Sequence, residues 1–168
     1  WATVATALGA ELHAVGPNGA VVHSATDFQT SMFETKLGAD QILVEARIPM
    51  PKPGQGSAYK KIERKVGDYA AAAVGVSIVL DGTTITEAAI GLTNVGPLTI
   101  NAADAAASLI GKSIDDAEAI EQAGVLAAAA SDPASDLRGP ADYKRDLVRV
   151  LTKRALRTAG ARAQGKEA

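Results

Sequence analysis

An α+β fold is what the order of segments along this chain predicts, because short β-branched runs come first and alanine-rich helical runs come last. Two observations sharpen that expectation. Asp81-Gly82 joins two long apolar runs, a strong hairpin signal. Pro49, Pro51, Pro53, Gly54 and Gly56 crowd one short stretch, which reads as a crossing loop between two units. The boundary is set there, giving residues 1–52 and residues 53–168.

Residues 1–8 read as a helix already under way, stopped by Gly9, as expected of a fragment or a processed chain. Residues 10–15 and 20–24 form a hairpin around Gly16-Pro17-Asn18-Gly19, where the Asn-Gly pair supplies the positive φ of a tight turn. Residues 27–37 are expected to be helical, with Asp27 as cap, Phe28 and Met32 on one face, and Gly38 as stop. Residues 41–48 read as a strand. In the second unit, residues 57–66 form a charged strand, and residues 71–80 and 83–93 form a hairpin of small residues. The expected result is a three-stranded antiparallel sheet covered on one face by helices. Helices follow over residues 101–110, over residues 113–130 with Ser113 as cap, and over residues 141–159. The tail from residue 160 to 168 is expected to fray.

Composition excludes several functions. The chain has no cysteine, which removes disulfides, thiolate metal sites, iron–sulfur ligation and cysteine nucleophiles. With 17 basic and 19 acidic residues it has no overall field for nucleic acid, and 4% aromatics leave few stacking platforms. No apolar run approaches the roughly 20 residues of a bilayer span. His13 and His23 stand on the two arms of the first hairpin near Glu11 and Asp27, but strand alternation does not converge three ligands, so a metal is not expected. Gly54-Gln55-Gly56-Ser57 fails the phosphate-loop spacing and precedes a strand. The basic last helix carries Asp142 and Asp146 among its cations and reads as a solvated or subunit-facing surface.

Four separated segments then carry a resemblance. Ala58-Tyr59-Lys60-Lys61-Ile62-Glu63-Arg64-Lys65-Val66-Gly67-Asp68-Tyr69-Ala70 resembles the A-[YF]-x-K-x-x-R-x-x-x-D-[YWI]-A region of molybdenum hydroxylase flavoproteins. Ile90-Gly91-Leu92-Thr93-Asn94-Val95-Gly96-Pro97, and Asp132-Pro133-Ala134-Ser135-Asp136-Leu137-Arg138-Gly139, resemble segments of the aerobic carbon monoxide dehydrogenase medium subunit. Gln41-Ile42-Leu43-Val44-Glu45-Ala46-Arg47-Ile48-Pro49 resembles the last strand of that family's FAD-binding domain.

The resemblance implies the end of a FAD-binding domain of the PCMH type over residues 1–52, followed by the family's C-terminal flavoprotein domain. It implies an oxidoreductase subunit that carries FAD and passes electrons to an external acceptor such as a quinone. Molybdopterin and 2Fe–2S clusters would sit in a large and a small partner subunit, arranged as a dimer of heterotrimers. The setting would be cytoplasmic, with peripheral association to a quinone-bearing membrane. The two glycine-rich segments that wrap the FAD pyrophosphate lie, by the resemblance, upstream of this chain. Lys60, standing directly after Tyr59 as the lysine does in the xanthine dehydrogenase branch, matches a cofactor-contact lysine, Leu43 a position lining the FAD, and Tyr69 a position beside the isoalloxazine ring. Asp68 and Arg64 match orienting or structural positions. The rival reading is a non-catalytic interaction module of the same fold without flavin.

Overall fold

Two main antiparallel sheets, with a small two-stranded ribbon inserted in the first unit, make up the computed structural model, which describes residues 1–166. The first unit opens with helix α1 (Ala2–Ala7) and builds a three-stranded sheet from β1 (Glu11–Gly16), β2 (Gly19–Ser24) and β5 (Ile42–Arg47) in the order β2-β1-β5. The β1–β2 turn differs in detail from the expected one. Gly16 pairs with Gly19 around Pro17-Asn18, and only Gly19 has positive φ, at 103°. Pro17 fixes its own φ near −65° and so bars the turn type that Asn-Gly would otherwise favour.

The helix expected over residues 27–37 is absent. Those residues form a small two-stranded ribbon, β3 (Gln29–Ser31) paired with β4 (Glu34–Thr35), turning at Phe33 with φ 66°. Thr30, Ser31 and Thr35 disfavour helix, and the supposed apolar face has nothing to pack on, since Met32 is exposed and Phe33 fully so. Asp27 caps no helix; its carboxylate pairs with the Lys36 ammonium.

The second unit is built on β6 (Gln55–Glu63), β7 (Ala70–Asp81) and β8 (Thr84–Thr93), with a two-residue fourth strand β9 (Ile100–Asn101), in the order β6-β7-β8-β9. The β7–β8 turn lies at Gly82-Thr83, with Gly82 at φ 61°. Three helices follow: α2 (Ala103–Ala107), α3 (Ala117–Ala129) and α4 (Ala141–Ala163). Helix α2 is shorter than expected at both ends, because Asn101 pairs with β8 and residues 108–111 run as turns up to Gly111. Asp116, not Ser113, caps α3, accepting from the N–H groups of Glu118 and Ala119 at 3.0 and 3.1 Å. Ser113 instead bridges Thr84.

Helix α4 lies across β6 and β7 and also packs on α3, enclosing Val74, Val76, Ile78, Leu92, Val148, Leu151, Ala155 and Leu156. The tail expected to fray is helical to Ala163, and Gly160 is buried against Ile114; residues 167 and 168 lie outside the described residues. The sheet is covered on both faces rather than one. Thr3 of α1 sits over Gly75 and Gly91, where a Cβ on Gly91 would come within 2.8 Å of the Thr3 carbonyl oxygen. Small residues in β7 and β8 therefore have a physical cause, since a helix backbone approaches there.

That contact ties α1 to the second sheet, although sequence places it with the first unit. A chain starting at Gly54 would bare the face now covered by Thr3, Thr6 and Ala7, all buried. From the apolar area involved it should lose about 1–3 kcal/mol relative to residues 1–166. Urea unfolding of the two lengths checks this, and equal midpoints would contradict it.

The first sheet has no second layer among the described residues. Ile42, Val44 and Ile48 are 71%, 59% and 52% exposed. Beside it a concavity of about 430 Å³ is lined by Trp1, Leu12, Phe28, Ala46 and Ile48.

Candidate cofactor-contact site

Strand alternation on β6 sorts the side chains of the first motif onto two faces. Gly56, Ala58, Lys60 and Ile62 share the face on which α4 lies, for Gly56 meets Ala159 and Ala163 there. Ser57, Tyr59 and Lys61 share the other face, since Tyr59 pairs with Gly75, which meets α1. The two adjacent lysines thus point to opposite sides. Lys60 is half-buried, and its ammonium makes no ion pair among the described residues. Lys61 is engaged: it pairs with Glu63 at 2.5 Å and donates to the Asp68 carbonyl at 3.1 Å. Sequence gave no sign of that second bond.

Beyond Glu63 the chain leaves the sheet and turns at Gly67, φ 87°. Asp68 sits inside this loop, its Oδ1 accepting from the Tyr69 N–H at 2.8 Å. Two cations face its carboxylate, Arg138 at 3.5 Å and Arg64 at 3.8 Å. Tyr69 itself is 77% exposed, and the Arg138 guanidinium stands 5.6 Å from its ring centroid.

Arg138 comes from the loop between α3 and α4, the Asp-Pro-Ala-Ser-Asp-Leu-Arg-Gly segment, whose side chains sequence reading left without roles. Ser135 Oγ accepts from the Ala141 N–H at 3.0 Å and so caps α4 from within the loop. Asp136 accepts from the Arg138 N–H at 2.8 Å and from Lys144 Nζ at 2.8 Å. The Lys144 hydrogen bond, helped by that N–H, holds the Asp136 carboxyl below the ordinary aspartate value. A depressed acid stabilises the fold above its unfolded pKa, and that stability is lost as pH falls through the lower folded value.

Leu43 lies elsewhere. It stands on β5 opposite Ala14, beside a register shift, 40% exposed and on a different sheet from Lys60 and Tyr69. The histidines are also separated: His13 meets Glu11 at 3.1 Å, while the His23 ring tilts against Phe28 at 5.6 Å. Among the described residues no three His, Cys, Asp or Glu side chains converge. No described helix is long and apolar enough to cross a membrane.

The Lys60 ammonium, on the α4 face of β6, and the exposed Tyr69 ring, in the loop before β7, stand at separate places, the one with the charge to meet an anionic group and the other with a flat apolar face.

Residues 57–159 match the family described as the CO dehydrogenase flavoprotein C-terminal domain. The chain is similar to the carbon monoxide dehydrogenase medium chain of Afipia carboxidovorans, 40% identical over 157 residues, covering 94% of this chain and 54% of that one. It superimposes on a chain of the reconstituted CO dehydrogenase from Oligotropha carboxidovorans with TM-score 0.91 and 38% identity, covering 96% of this chain and 56% of that one. Quinoline 2-oxidoreductase from Pseudomonas putida 86 gives TM-score 0.84 at 30% identity, covering 98% and 55%. The chain spans about half the length of the curated relatives it matches.

Proposed function

Because the chain belongs to the CO dehydrogenase flavoprotein C-terminal domain family, we propose that it is part of the FAD-carrying medium subunit of a molybdenum hydroxylase. The observation that carries the reading is the superposition at TM-score 0.91, which runs through both sheets rather than the C-terminal sheet alone. In this reading residues 1–52 end the FAD-binding domain, and upstream parts of that domain cover the bare first sheet. Bound FAD supplies the redox step between iron–sulfur donors and an external acceptor such as a quinone. The molybdenum cofactor and the 2Fe–2S clusters belong to a large and a small partner subunit in a cytoplasmic dimer of heterotrimers.

Within this chain the work is positional. Lys60 donates a charge-assisted hydrogen bond to the cofactor. Tyr69 packs its free ring face against the isoalloxazine, and Leu43 lines the cofactor from the first sheet. Backbone donors for the pyrophosphate come from glycine-rich turns outside these residues.

Purified by itself, the 168-residue chain is therefore expected to retain no FAD. A medium subunit that includes the upstream segments, assembled with its partners, is expected to be yellow and to release FAD on denaturation. Stoichiometric flavin on the chain alone would refute the upstream cradle. A colourless complete assembly would refute the flavoprotein reading.

A further inference from the structure

Lys144 lies in the first turn of a 23-residue helix, where the dipole disfavours a cation, and its side chain is only 3% exposed. A buried ammonium must be compensated locally. Among the described residues the compensation comes from the preceding loop, through the Ala134 carbonyl at 2.8 Å and the Asp136 carboxylate at 2.8 Å. Those two contacts, with the Ser135 cap on Ala141, fix the loop to the helix at three points.

The loop in turn projects one side chain to the sheet. Asp136 Oδ1 accepts the Arg138 N–H, which sets the Arg138 backbone, and the guanidinium reaches both Asp68 and the Tyr69 ring. An isolated ion pair at 3.5 Å on the surface would contribute little. Here the cation is preorganised by a buried charge, and the Tyr69 ring it meets is largely free of other packing, although the backbone beside it is also held by Lys61 on the Asp68 carbonyl and by Asn94 on the Ala70 carbonyl.

We propose that Arg138 is the positioning residue for Tyr69, and that Lys144 anchors it through Asp136. The relay runs from helix α4 through a loop to the segment of residues 64–69, so the core of the second unit governs where the aromatic ring stands. Its bearing on electron transfer rests on the reading that Tyr69 meets the flavin; the positioning itself does not.

The test uses the assembled holoenzyme with full-length medium subunit, measuring hydrogen–deuterium exchange of residues 64–70 and the visible circular dichroism of the flavin. Arg138→Gln should speed exchange in that segment about tenfold and alter the flavin bands. Arg138→Lys, which keeps the Asp68 pair, should recover part of the protection. Lys144→Met combined with Asp136→Leu removes the buried charge and its partner together, so folding is not burdened by an orphaned ion. That double variant should reproduce the faster exchange. Unchanged exchange in Arg138→Gln overturns the positioning role, whatever the flavin does. Faster exchange in Arg138→Gln but not in the double variant overturns the anchoring by Lys144. Faster exchange in both with unaltered flavin bands upholds the relay, and then the placement of Tyr69 beside the flavin is what fails.

Discussion

Gly56→Val is expected to displace helix α4 from the sheet. A Cβ at this position would come within 2.0 Å of the Ala159 carbonyl oxygen and 2.6 Å of the Ala163 amide nitrogen, both backbone atoms. No rotamer change relieves a clash with backbone, so the helix itself must move. That movement opens the interface holding Val148, Leu151, Ala155, Leu156 and Ala159, each nearly or fully buried. Overpacking ordinarily costs about 1–3 kcal/mol, and this case belongs at or above the top of that range. At about 2–4 °C per kcal/mol for a domain of this size, thermal unfolding should move down by roughly 6–12 °C. A variant melting within 2 °C of its parent by the same scan would show that the helix contact is not needed.

Lys60→Ala, in a medium subunit with its upstream flavin segments, is expected to weaken FAD binding about tenfold to hundredfold. The figure follows from loss of one charge-assisted hydrogen bond at about 1.5–3 kcal/mol and about 1.4 kcal/mol per decade of affinity. Since the Lys60 ammonium has no ion pair among the described residues, its removal orphans no carboxylate of the fold. The flavin reduction potential should also fall, because a cation stabilises the more negative reduced form. Lys61→Ala is the comparison. Its side chain lies on the opposite face and is spent on Glu63 and the Asp68 carbonyl, so it should loosen residues 64–69 without removing a cofactor contact. Equal flavin affinity and equal potential in the two variants would contradict the assignment to Lys60, and the reverse order would transfer it to Lys61.

What the sequence made legible was punctuation and order. Gly9, Gly82 and Gly111 all stop or turn the chain where expected, because positive φ at a glycine is a local property. The long strands β6 to β8 and helix α4 were legible for a similar reason, each being a long run with one dominant pattern. The segment of residues 27–37 failed because Phe28 and Met32 mimic a helical stripe, whereas only a packing surface could make that stripe worth burying. The cap of α3 was misplaced by one turn, as Ser113 and Asp116 are both capping residues and only the bridge to Thr84 decides between them. At the candidate site, the pairing of β6 with β7 puts Lys60 and Lys61 on opposite faces, as simple strand alternation requires. The roles of Asp136, Arg138 and Lys144 were illegible, since they depend on a loop folding back onto a strand end some 70 residues earlier in the chain, as the Asp68–Arg138 contact shows.

The seat of α1 on Gly75 and Gly91 bears on how such subunits can be recombined. The Pro/Gly-rich crossing around residue 50 looks like a natural joint for building chimeras between relatives. A splice there would carry the second sheet into a foreign subunit but leave α1 behind, and the recipient's own helix would have to land on two glycines shaped for Thr3. Compatibility would then depend on matching the bulk of that first helix to the bareness of the sheet, a pairing that spans the apparent joint. Exchange of parts within the family is thus constrained by a lock between the chain's first residues and its middle, and grafts that move α1 together with the sheet should be the ones that assemble.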